Sequence, residues 1–154
     1  MVDAQKFERL SILSQQLNEQ CSTLNDTITE WNKRLLALNL GLEVWLNPFD
    51  YSGVYYAEND SDVRQKCVKE ISLGYAKVDG QWQLAIKEEF LIAGNEEREQ
   101  DVPIRVTRLL SCTREMRIKA MERFDSLLSH IEEEVTQRLQ IVAKAQKLAE
   151  IDKP

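Results

Sequence analysis

Three ionisable residues carry the only constellation whose types and spacing suggest chemistry in this chain: Arg114, Arg117 and Glu88. On a helix advancing about 100° per residue, Arg117 falls inside an apolar stripe shared with Ala120 and Phe124, and Arg114 lies at its edge. A guanidinium in apolar surroundings needs an acceptor, and its planar fork matches a carboxylate bidentately. Glu88 is the acid that strand alternation, described below, puts on the core side of a hairpin. Two outcomes follow. One is structural, with an ion pair or with arginines that reach solvent on their aliphatic stems. The other is an anion- or partner-binding pocket built from Arg114, Arg117 and Glu88.

No catalytic residue, metal ligand or cofactor is assigned. The chain lacks G-x-S-x-G, a phosphate-cradling glycine loop, a dinucleotide fingerprint and H-E-x-x-H. His130, the single histidine, falls just outside the apolar stripe with no nucleophile or metal ligand spaced to it, and reads as a solvent-exposed helix residue. Cys21, Cys67 and Cys112 are odd in number and far apart, which argues against a zinc site and a disulfide framework. The Asp60 and Asp62 spacing lacks the rest of a calcium loop. Arg105, Arg108, Lys119 and Arg123 share an outer stripe if residue 105 is helical. Without interleaved aromatics they read as a solvated face rather than a nucleic-acid surface.

A net charge of −6 over 154 residues argues in the same direction for anionic lipid and nucleic acid alike. The opening MVDAQKFERL has charges where a secretory signal needs an apolar run. The apolar run Leu35 to Leu46 is interrupted and falls short of the roughly 20 residues needed to span a bilayer. A cytoplasmic protein with no membrane or nucleic-acid partner is expected, and the length fits one domain over 1–154.

The elements that must position these residues are legible from period. Phe7, Leu10, Ser14, Leu17, Cys21, Leu24, Ile28, Trp31, Leu35 and Leu38 recur at steps of three and four, as positions a and d of a coiled-coil seam. With Asp3 as N-cap and Gly41 suited to the left-handed position beyond the end, the spacing predicts a helix over about 4–39. Asparagine recurs at the flanking positions 18, 25, 32 and 39, either as a solvated flank or as amides that set a helix–helix register.

The period then changes. Leu42 to Phe49 alternates as a half-buried strand that Pro48 ends, Gly53 to Ala57 is a second strand, and 58–62 is a polar loop. Asp79-Gly80 is the dipeptide that a two-residue type I′ turn prefers, since both central residues need positive φ. Counting outward pairs Lys77 with Trp82, Tyr75 with Leu84, Leu73 with Ile86 and Ile71 with Glu88. That face is apolar. The opposite face, with Ser72, Gly74, Ala76, Gln83, Ala85 and Lys87, is small or polar and suited to water. A polar acidic loop at 93–101 and an edge strand over Val102 to Val106 complete a β head spanning about 42–106. Helical period returns from about Arg108 to Glu150 as one long helix.

The expected fold is therefore α+β: long helix, antiparallel sheet of three to four strands, long helix, with the helices returning as an antiparallel coiled-coil stalk. This element order resembles that of prefoldin subunits, in which two terminal helices form an antiparallel coiled coil around a β-hairpin. The resemblance lies in layout and in no motif, so no chaperone residue is carried over. Such a chain is expected to act as a non-catalytic interaction or assembly module for an unknown protein partner. The alternative is a small-ligand or anion binder using the head and Arg117. Apolar residues left over from the seam, Ile12, Leu13, Leu127, Ile141 and Leu148, predict self-association, most simply as a two-fold homodimer.

Overall fold

A computed structural model describes residues 3–58, 64–92 and 103–151, with side chains throughout except at 52–58 and 64–67. The fold is α+β, with a long N-terminal helix, an antiparallel sheet and C-terminal helices. The chain divides into two compact units, Met1–Asn39 and Leu40–Pro154.

The first unit is α1, Ala4–Ala37, about 51 Å long at 1.5 Å per residue. Asp3 caps it as expected, its carboxylate accepting the Gln5 amide at 3.1 Å. The helix stops two residues earlier than expected because Asn39, at φ 48°, takes the left-handed position ahead of Gly41. Burial divides α1 by length: Cys21, Ile28 and Leu35, seven residues apart, are buried, whereas residues 3–20 are exposed throughout.

In the second unit the chain runs along one edge of a long hairpin, forms the hairpin, adds a strand to its far edge and ends in helix. The central strands are β3, Arg64–Val78, and β4, Gln81–Ile92, whose register pairs Tyr75 with Leu84, Leu73 with Ile86 and Ile71 with Glu88. The turn between them has Asp79 at φ 50° and Gly80 at φ 81°, the signs a type I′ turn requires. Both β1, Val44–Trp45, and β2, Asp50–Glu58, pair with β3, and β5, Arg105–Arg108, pairs with β4. The predicted strand over Leu42 to Phe49 is thus reduced to two residues, although the Leu46 and Phe49 amides still donate to Leu73 and Ile71 of β3. Pro48, which has no amide hydrogen, sits where the ladder is interrupted. Glu58 closes β2 rather than opening a loop; Asp60, Asp62, the 93–101 loop and Val102 lie outside the described residues.

Two expectations are corrected. The C-terminal helix does not begin at Arg108: Arg105–Arg108 is strand, Leu109–Ser111 is a 3-10 turn, and helix resumes as α2, Arg114–Met121, and α3, Phe124–Ile151. Thr113 is the start signal, its hydroxyl oxygen accepting the Met116 amide at 3.3 Å. Between α2 and α3 the Arg123 amide reaches back three residues to Ala120, a local tightening through which Ala120, Phe124, Leu127 and Ile131 keep one buried face.

The second correction concerns the sheet. The face with Ile71, Leu73, Tyr75, Leu84 and Ile86 is buried as expected, but so is most of the other, where Ser72, Gly74, Ala76, Gln83 and Ala85 are buried and Lys87 half-buried although all were expected to meet water. Small side chains there admit a close approach. Trp45, directly across from Gly74, packs against Ala76, Val78 and Ala85, hydrogen-bonds Glu43 through its indole nitrogen, and carries the Lys87 ammonium 4.8 Å from its ring centroid. Gln83 donates to the Val78 carbonyl at 3.2 Å.

Strand β2 is tied to α2 by one ion pair, Lys119 to Asp50 at 2.8 Å. The hydrogen bond from Lys119, aided by its charge and opposed by burial, holds the Asp50 carboxyl below its ordinary 3.8. A carboxyl depressed in the folded state stabilises above its unfolded value, and that contribution disappears as pH falls from about 4 through the folded value. Because Lys119 is half-exposed, less than about 1 kcal/mol is at stake. Urea midpoints at pH 7 and pH 2.5 should therefore differ less in Asp50→Asn than in the parent chain; equal differences would remove the pair from the acid response.

Candidate functional site

The residues singled out from sequence are partly brought together, at the junction of β4, β5, the 3-10 turn and α2. Alternation places Glu88 and Ile86 of β4 on one face, and the ladder sets Arg105 opposite Glu88 and Thr107 opposite Ile86. Above them the turn into α2 brings Ser111, Cys112, Thr113 and Met116 against this patch, lining a half-open cavity of about 220 Å³. Its floor is apolar and its walls carry hydroxyls, a thiol, a carboxylate and a guanidinium.

Arg117 does not line this cavity. Its guanidinium Nη1 donates to the Cys112 carbonyl at 2.6 Å and more weakly to that of Leu110 at 3.4 Å, which fixes the turn ahead of α2, while Nε is buried without a partner. Arg114 is half-buried at the first position of α2 and already has an interaction of its own. Glu88 pairs with Lys69, at 3.1 Å, and not with Arg117. Lys69 belongs to β3, and the diagonal reach across the hairpin satisfies the carboxylate. Arg105, which the sequence suggested only for an outer helical stripe, is instead a strand residue that faces the cavity. It has no hydrogen-bond or ion-pair partner among the described residues. Two of the other cations of that stripe are occupied: Arg108 pairs with Asp79 at 3.0 Å and Lys119 with Asp50.

Cys112 sits half-buried in the same cavity and donates its thiol hydrogen to the Arg108 carbonyl at 3.3 Å. Burial, then the Glu88 charge, raise its pKa, and Arg117 and Arg105 offset only part of this. The thiol therefore stays protonated at neutral pH, which makes it a neutral donor and a poor nucleophile.

A second concavity, of about 320 Å³, lies between the β1–β2 segment and α3, where Leu46 and Asn47 face Asp125, Ser126, Ser129 and His130. His130 stands 3.5 Å from Glu133 and is partly shielded rather than fully exposed. Among the described residues no group of three or more acidic, cysteine or histidine side chains is arranged to hold a metal ion, and no helix is long and apolar enough to cross a membrane.

The residues suggested for self-association separate into two groups. Leu127 is fully buried in the second unit, so it belongs to the core and not to an interface. Ile12, Leu13, Ile141 and Leu148 are 55–65% exposed, together with Phe7 and Leu10 on α1 and Leu139, Val142 and Ile151 on α3. Comparison with protein-family models, with curated proteins and with solved structures finds no match.

Proposed function

We propose that this chain is a non-catalytic assembly module whose two long helices associate with a second copy through coiled-coil packing, presenting the β head to a protein partner. The supporting observation is the distribution of exposed apolar side chains. They are concentrated in the first half of α1 (Phe7, Leu10, Ile12, Leu13, Leu17) and the last part of α3 (Leu139, Ile141, Val142, Leu148, Ile151). Single exposed leucines are ordinary on a protein surface, but two helical segments without a buried residue over four turns each leave five large apolar side chains apiece in water.

Ten large side chains, each roughly half-exposed, represent on the order of 10 kcal/mol of burial if covered, enough to offset the cost of association. The exposed part of α3 carries Arg138, Lys144 and Lys147 against Glu150 alone, while the exposed part of α1 has Asp3, Glu8 and Glu19 against Lys6 and Arg9. Opposite net charge favours α1 of one copy beside α3 of the other, a self-complementary arrangement that a two-fold dimer repeats. The free thiols of Cys21 and Cys112 suit a reducing compartment, in keeping with a cytoplasmic role. Light scattering behind a sizing column at micromolar concentration should give twice the 17.9 kDa of one chain. A mass of 17.9 kDa up to the highest soluble concentration would refute self-association.

A further inference from the structure

We infer that the cavity between β4–β5 and the start of α2 binds a small monocarboxylate with a short neutral tail, through Arg105. This site is separate from the helical faces invoked above, and it can stand or fall without them.

Charge decides the sign of the ligand. Of the two ionised groups on the cavity wall, Glu88 is already neutralised by Lys69 at 3.1 Å, whereas Arg105, directly across the ladder from it, has no ion-pair partner among the described residues. Opposite charges facing each other across a strand pair ordinarily bond to one another. Here the carboxylate has turned to the hairpin's other strand, and among the described residues one positive charge is left over. Cys112 adds none, because burial and Glu88 keep it protonated.

Hydrogen-bonding capacity points the same way. The hydroxyls of Thr107 and Ser111 have no protein partner among the described residues, and Thr113 uses its oxygen as an acceptor from Met116, which leaves its hydrogen to donate. A guanidinium and three hydroxyls around one space call for acceptor oxygens, and a carboxylate offers two in the geometry that a guanidinium binds bidentately.

Size and floor set the rest of the molecule. About 220 Å³ is the room of roughly seven waters, too much for a bare halide and too little for a drug-sized ligand. Ile86, 2% exposed, and Met116 form an apolar surface on which an alkyl tail of two or three carbons would lie. Glu88 disfavours a second negative charge, so dicarboxylates and phosphate should bind more weakly than a monoanion.

Titration of the full chain by amide NMR, with propionate and isobutyrate as probes, tests this. Saturable shifts are expected at Arg105, Thr107 and residues 111–113, in the millimolar range usual for fragments, and the uncharged propionamide should bind at least roughly tenfold more weakly. Arg105→Gln should weaken propionate to the same extent while leaving the rest of the spectrum in place, since Arg105 is exposed and bonds to no other side chain among the described residues. Propionate should also slow alkylation of Cys112 by iodoacetamide in the parent chain and not in Arg105→Gln. Three results would each overturn the inference: equal shifts from propionamide, shifts that survive Arg105→Gln, or phosphate and chloride perturbing the same amides as strongly as propionate, which marks an adventitious anion contact. If Arg105→Gln disturbs the spectrum broadly, Ser111→Ala takes its place, and undiminished propionate binding and Cys112 protection in that variant count against the site.

Discussion

Gly74→Ala should destabilise the protein by about 2–4 kcal/mol. A Cβ on residue 74 would lie 2.6 Å from the Val44 carbonyl oxygen and closer still to the Trp45 indole, and neither can withdraw easily. Val44 is pinned by its ladder to Tyr75, and Trp45 is held by Glu43 on one side and by Lys87 over its ring. The extra methyl therefore has to push β1 off β3. Equilibrium urea denaturation followed by tryptophan fluorescence measures this. A cycle with Trp45→Ala apportions it, because without the indole only the carbonyl clash remains and the cost of Gly74→Ala should fall by 1 kcal/mol or more. If the two substitutions instead add independently, the indole is not what closes that face of the sheet.

The second large effect concerns the exposed helical faces. In the proposed dimer, Leu13→Lys combined with Ile141→Lys should shift the dissociation constant by roughly a thousandfold or more, because a two-fold interface would contain each substitution twice and each would remove an apolar contact worth over 1 kcal/mol. Both side chains are about 60% exposed, so the β head should remain folded. Near-ultraviolet dichroism of the stacked Tyr75–Trp82 pair, whose ring centroids are 5.7 Å apart, reports on the head independently of mass. A dimeric mass for the double variant would place the interface elsewhere. Loss of the aromatic signal together with the dimer would show that Leu13 and Ile141 serve the fold itself.

What could be read from sequence here is what short-range physics decides. Asp79-Gly80 dictates a turn with two positive φ angles, and once the turn is set the pairing of every residue from 67 to 92 follows by counting. Asp3 and the seven-residue recurrence of apolar positions define α1 in the same local way. The Thr113 cap was not read, because helical period running through Leu109 set the expected helix start at about Arg108. Tertiary structure decided what local rules leave open. Whether the small-residue face of the hairpin meets water depended on Trp45, nearly thirty residues upstream of Gly74, and small size signalled close approach rather than exposure. Burial likewise split the candidate interface, moving Leu127 into the core while leaving Leu13 and Ile141 outside. Ion-pair choice was equally beyond sequence: Lys69, Arg105 and Arg117 all carry the right charge for Glu88, and only side-chain reach across the sheet assigned it to Lys69. That assignment left Arg117 to the carbonyls of the turn and Arg105 without a partner among the described residues, because a carboxylate's partner is set by distances of a few ångströms between segments that the sequence keeps far apart.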